Sequence, residues 1–240
     1  MSRNDNNLSL TTAKRSRSKT VAPPTKRRRG RPMRSGTNEP HMRDRIEQAA
    51  VELFYARGYN ATSTRDIAQA CGITSGAVYN HFVSKDELLL SIIQRSYEVL
   101  EREMLKAVLH AGEDPADQLR SLVSAFTGFC VRNRHSALVA SQEYKFLATS
   151  ELRTVRAARI RLRELFEEVI QRGHERGVFN LPPVAGKPSA RLAAVAIGDM
   201  CIRIAEWFRE DSKLSVEEAC MRYADMAVGI VTAQPAGTAR

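Results

Sequence analysis

After residue 41, apolar residues recur at three- and four-residue spacing almost throughout, and no stretch alternates as a strand would. The pattern predicts an all-α fold. Ile46, Ala49, Ala50, Leu53 and Phe54 share one face of a first helix from about Met42 to Arg57, ended by Gly58. Ser63 or Thr64 caps a second helix holding Ile67, Ala68 and Ala70, and Cys71-Gly72-Ile73 breaks it, because glycine reaches the left-handed conformation of a helix end. Thr74 or Ser75 caps a third, short helix, Gly76 to Phe82. Ser84 and Glu87 form a capping box that opens a long fourth helix to about His110. Further helices are predicted over Pro115 to Arg132, Ser136 to Ala148, Glu151 to Arg176, Ser189 to Arg209 and Ser215 to Val231. Val178 to Pro188, with its prolines and glycine, reads as a loop. No repeat stands out, and no run of about 18 apolar residues marks a membrane span.

Helix, tight glycine turn and short helix together are the pattern of a helix-turn-helix, whose second helix enters the DNA major groove. Ile67, Ala68, Cys71, Ile73, Val78 and Phe82 would form its small core. Thr74, Ser75, Tyr79, Asn80 and His81 are left outward, with short hydroxyls and flat polar rings suited to phosphates and base edges. Periodicity alone favours an ordinary helical hairpin with solvated polar residues, since helix-turn-helix patterns arise often by chance.

The residues add what periodicity lacks. LFYARGYNATSTRDIAQACGITSGAVYNHFVSKDELL resembles the N-terminal DNA-binding domain of the tetracycline-repressor (TetR) family, continuously from about Arg43 to Leu90. The likeness includes the Phe-x-x-x-Gly of helix one at Phe54 to Gly58 and the run from Tyr79 to Lys85. It implies a three-helix head followed by a helical ligand-binding and dimerisation domain. It further implies a homodimeric regulator, in most relatives a repressor, released from a palindromic double-stranded operator by a small-molecule effector. Carried over residue by residue, the DNA contacts are Thr64, Thr74, Ser75, Gly76, Tyr79, Asn80, His81 and Lys85. Ser75 stands where many relatives have lysine, so one phosphate contact is in doubt.

Charge divides the chain unevenly. Of the net +10, residues 1–40 contribute +9, from 11 Lys or Arg against Asp5 and Glu39. The segment 41–90 carries 5 basic and 6 acidic residues, so long-range attraction to DNA falls to the arm. That arm has too few large apolar residues to fold alone. Its Arg-Gly-Arg-Pro, with Arg29 and Arg31, is similar to the core of AT-hook peptides, which place arginines in narrow A·T minor grooves. A solvated basic linker without sequence preference and a nuclear-localisation run remain open readings. The expected divisions are a disordered arm over 1–40, the head over 41–88, the helical domain over 89–233 and a disordered tail over 234–240.

Cys71, Cys130, Cys201 and Cys220 show no ligand spacing and read as free thiols of a cytoplasmic, nucleoid-associated protein. With no phosphate loop, HExxH or GxSxG, and five scattered histidines, neither enzyme, cofactor nor metal site is expected.

Two features of the second domain bear on function. Ala190, Ala193, Ala194, Ala196, Ile197, Gly198 and Ala205, with Ala224, Ala227, Val228 and Gly229, give the last two helices small faces. These suit either an internal hairpin or, as the resemblance implies, a four-helix dimer interface. Phe126, Phe129, Met200 and Trp207, with Gln142, Glu143 and Arg203 as polar groups, are candidates to line an apolar ligand cavity. Arg156, Arg159 and Arg163 share one helical stripe, which is either a solvated edge paired with glutamates or an anion site beside that cavity. The second reading favours an amphipathic anion such as an acyl-coenzyme A thioester. A cationic or neutral drug, as for regulators of efflux pumps, is the alternative, held by Glu143 and Asp199.

Overall fold

The computed structural model describes residues 39–181, 183–209 and 213–233. The arm residues Arg29 and Arg31 and the tail 234–240 lie outside the described residues. Within them the chain is all-α: α1 (Glu39–Arg57), α2 (Thr64–Cys71), α3 (Ser75–Tyr79), α4 (Lys85–His110), α5 (Pro115–Arg132), α6 (Arg134–Gln142), α7 (Thr149–Glu175), α8 (Ala190–Trp207) and α9 (Val216–Thr232). No described helix is long and apolar enough to cross a membrane.

The head, α1 to α3, closes as its caps dictate. Gly58, at φ +82°, ends α1. The Ser63 hydroxyl accepts from the Asp66 N–H while the Ser63 N–H donates to the Asp66 carboxylate at 2.8 Å. Gly72, at φ +66°, turns the chain out of α2, and the Thr74 hydroxyl accepts from the Ala77 N–H to start α3. α3 stops at Tyr79, short of the expected Phe82. Phe82 is buried in the head core, and Ser84 is extended (φ −148°) to cap α4, so the chain leaves the helix before it reaches them. The Glu87 carboxylate accepts from the N–H of Val83, the residue before the cap.

α4 joins two apolar clusters. Leu88, Leu89, Ile92 and Ile93 pack with Ile46, Phe54, Ile67 and Phe82 of the head, whereas Leu100 and Met104 pack with α5, α7, α8 and α9. The head cluster also takes Val139, Leu147 and Val155 from beyond α4. That explains the broken sixth helix: α6 ends at Gln142, and a 3₁₀ turn (Glu143–Phe146) delivers Leu147 to the head core. Glu143 accepts from the Tyr59 N–H at 3.3 Å, tying that turn to the end of α1. Buried Glu47 ties α1 to α4, accepting from the Ser91 hydroxyl at 2.6 Å and from Arg95 at 3.0 Å.

The expected loop before α8 contains a minimal hairpin, β1 (Pro183–Val184) against β2 (Lys187–Pro188), turned by Ala185 and Gly186, both at positive φ. The small residues of the last two helices face mostly inward: Ala190, Ala193, Ala194, Ala205, Ala224 and Ala227 are buried within one subunit. Exposed instead are the larger Leu192, Val195, Met221, Met226 and Ile230.

Candidate nucleic-acid interface and cavity

α3 presents its outward residues as short side chains around one ring. Tyr79 is 51% exposed, and its hydroxyl lies 3.2 Å from the Thr64 hydroxyl at the start of α2. Thr74, Gly76 and Asn80 are exposed beside it, and Ser75 is half-buried. Thr74 already uses its oxygen as a cap acceptor. His81 follows the helix, half-buried, with its carbonyl oxygen held by Arg43 at 3.0 Å. The same guanidinium lies 4.2 Å from the centre of the Phe82 ring. Lys85 is built into the turn: its ammonium donates to the Tyr59 and Thr62 carbonyls, both at 2.9 Å, and lies over the Tyr59 ring. Tyr59 donates in turn to Asp86, and burial first, then that carboxylate, pushes its phenol well above the ordinary value. These bonds tie α1, the turn before α2, His81 beyond α3 and the start of α4 together, and leave Thr74, Gly76, Tyr79 and Asn80 exposed.

A cavity of about 210 Å³ lies between α4, α5, α6, α7 and α8. Tyr97, Leu100, Phe126, Phe129, Leu162 and Phe166 make much of its apolar wall. Ser96, Ser141, Arg159, Arg163 and Asp199 are its polar groups. Burial pushes the Tyr97 phenol up to about 12, partly offset by the nearby Arg159 charge, and its hydroxyl donates to the Ala140 carbonyl at 3.2 Å. The buried Cys130 thiol, also in the wall, is pushed up by burial and is a poor nucleophile.

The structure divides the candidate ligand residues. Phe126, Phe129, Arg159 and Arg163 line the cavity. The others have different surroundings. Arg203 pairs with Glu206 at 2.5 Å, and Gln142 reaches the same carboxylate at 3.5 Å. Trp207 stacks on Tyr223 and donates to its hydroxyl at 2.9 Å. Met200 packs half-buried against the core, Glu143 holds Tyr59, and Arg156 is exposed on α7. The arginine stripe is thus split: Arg159 sits 4.9 Å from the Tyr144 ring centre, and Arg163 pairs with Glu167 at 2.5 Å. Ser96, Tyr97 and Ser141 were not among the residues that sequence pointed to. Their one signal is polar groups interrupting the apolar faces of α4 and α6.

Residues 46–92 match the family described as bacterial regulatory proteins, tetR family, and residues 112–231 match the tetracyclin repressor-like C-terminal domain. The HTH-type transcriptional repressor KstR2 of Mycolicibacterium smegmatis is 27% identical over 194 residues, spanning 79% of this chain and 90% of its own. The TetR family regulator PfmR from Thermus thermophilus is 32% identical, with a TM-score of 0.68 over 77% of this chain and 97% of its own. AibR, in complex with isovaleryl coenzyme A and operator DNA, shares the fold at 24% identity, with a TM-score of 0.67 over 79% of this chain and 97% of its own.

Proposed function

The chain belongs to the TetR family of helix-turn-helix DNA-binding transcription regulators, and from that premise we propose that it is a homodimeric repressor released from a palindromic operator by an acyl-coenzyme A thioester. Two α3 helices, one per subunit, would enter successive major grooves about 34 Å apart. Tyr79, Asn80 and Thr74 to Gly76 would meet bases and phosphates, with Thr64, His81 and Lys85 at the margin. The arm, through Arg29 and Arg31, would add minor-groove or nonspecific affinity. The subunits would pair through α8 and α9, where Leu192, Val195, Met226 and Ile230 are exposed apolar side chains.

The observation that carries the ligand clause is the cavity itself. Its aromatic and aliphatic wall suits an acyl group, and Arg159 and Arg163 border it as cations fitted to phosphate. At about 210 Å³ it holds an acyl moiety and not a whole coenzyme A, so the nucleotide would lie outside, towards those arginines. Because α4 forms part of the wall and its first turns lie in the head core, a ligand there pushes on the element that carries the DNA-reading surface. Filling the cavity would tilt α4 and spread the two heads.

Asp199 lines the same cavity and favours a second reading, in which a cationic drug pairs with that carboxylate and stacks on the aromatic wall. Native mass spectrometry of the purified protein, followed by operator-release titrations with acyl thioesters and with cationic dyes, separates the two. Release by thioesters, weakened at least about tenfold when Arg159 and Arg163 are both changed to Gln, is the expected result. Release by dyes and by no thioester excludes the proposal. Thioester release indifferent to the double substitution removes the arginine clause alone.

A further inference from the structure

Ser96 differs from the other buried hydroxyls. It is 6% exposed, on the buried stripe of α4 that also holds Ile92, Ile93 and Leu100. Its Oγ is the one fully buried side-chain oxygen or nitrogen among the described residues without a hydrogen-bond partner. A helical hydroxyl can ordinarily turn back to the carbonyl one turn earlier, as Thr127 does to Val123 at 2.7 Å. Ser96 instead forms part of the cavity wall. The neighbouring donors are committed: Tyr97 to the Ala140 carbonyl, Ser141 to the Leu138 carbonyl and Arg163 to Glu167. One fully buried donor without an acceptor therefore lies in the wall of a largely apolar space, whose other donor outside a hydrogen bond, Arg159, is exposed and sits over the Tyr144 ring.

We propose that Ser96 is a ligand-reading residue, whose hydroxyl donates to a carbonyl-type oxygen on the apolar part of the effector. The cavity would then select oxygenated over plain hydrocarbon groups. A plain hydrocarbon filling the space strands the hydroxyl, whereas an acceptor oxygen satisfies it, and that difference is the basis of discrimination. The inference rests on the cavity being the effector site, and it is independent of whether the ligand is a thioester.

Acetophenone and ethylbenzene are near-isosteric and differ by one carbonyl, so they serve as the probe pair. Their dissociation constants would be measured on the full-length protein by ligand-observed NMR titration, for wild type, Ser96→Ala and Ser96→Cys. The expected result is that both substitutions lower the affinity for acetophenone relative to ethylbenzene about three- to tenfold, the range of one net hydrogen bond. The cysteine variant, close in size to serine, covers the case in which alanine disturbs the packing. Binding of both probes at a ratio unchanged by either substitution overturns the role of Ser96 and leaves the cavity standing. Failure of both probes to bind wild type overturns the cavity reading and the role of Ser96 with it.

Discussion

The sequence groups Tyr79 and Lys85 together as DNA contacts, and their surroundings give them different consequences. Tyr79 is half-exposed and bonds only the Thr64 hydroxyl. Its replacement by Ala should cost about 1–3 kcal/mol of operator binding and leave helicity and melting temperature unchanged. Lys85 holds two backbone carbonyls of the turn between α1 and α2. Lys85→Ala should therefore lower the melting temperature as well as the affinity, at a stability cost of about 1–3 kcal/mol. Calorimetry beside operator titration distinguishes them, and a Lys85→Ala protein that melts like wild type would mean the lysine is free for phosphate alone. Three tyrosines, Tyr59, Tyr97 and Tyr223, are pushed up by burial and set an alkaline limit. Tyr59 and Tyr97 both titrate above the ordinary 10, Tyr97 at about 12. A raised folded value gives stability that is complete below pH 10 and is lost as pH rises through it towards 12. Melting temperature between about pH 9 and 12 should fall, and Tyr97→Phe should remove part of that fall.

At the scale of elements, the caps were the legible part. Ser63, Gly72, Thr74, Ser84 and Pro115 start or stop helices where the sequence predicts, because each acts on backbone groups within a few residues. What the sequence missed depends on contacts far along the chain. α3 ends early because Phe82 turns into a core shared with α1 and α4, and α6 breaks because Leu147 belongs to the head. The inward turn of the α8 and α9 alanines and the splitting of the arginine stripe are equally tertiary outcomes, since a helical face carries no label for what it meets. The end of α7 gives a local test. Phe179 folds back over Gly173, whose carbonyl accepts from the Val178 and Phe179 N–H groups, and a Cβ there would overlap the ring. Gly173→Ala should destabilise the protein by about 1–3 kcal/mol in chemical denaturation, and a wild-type midpoint would show that the ring moves freely aside.

For the whole molecule, assembly and charge are separable. Leu192 and Ile230 are exposed in the single subunit, so changing both to Glu should leave the subunit folded. Sedimentation should then report a monomer with greatly weakened operator binding. A dimer that persists would place the interface elsewhere. Removing residues 1–36 takes away the whole net positive charge of +10 and should flatten the dependence of log K on log salt by about 0.9 for each phosphate the arm contacts. A slope unchanged by the truncation would show that the arm stays off the DNA. The central claim, that two copies of α3 read a symmetric site, is tested most directly by selecting bound duplexes from a random pool with the full-length protein. The account predicts an inverted repeat with half-site centres one helical turn apart, or a multiple of it, that Tyr79→Ala no longer enriches. Recovery of no consensus, or of one asymmetric site enriched equally by the variant, would contradict it.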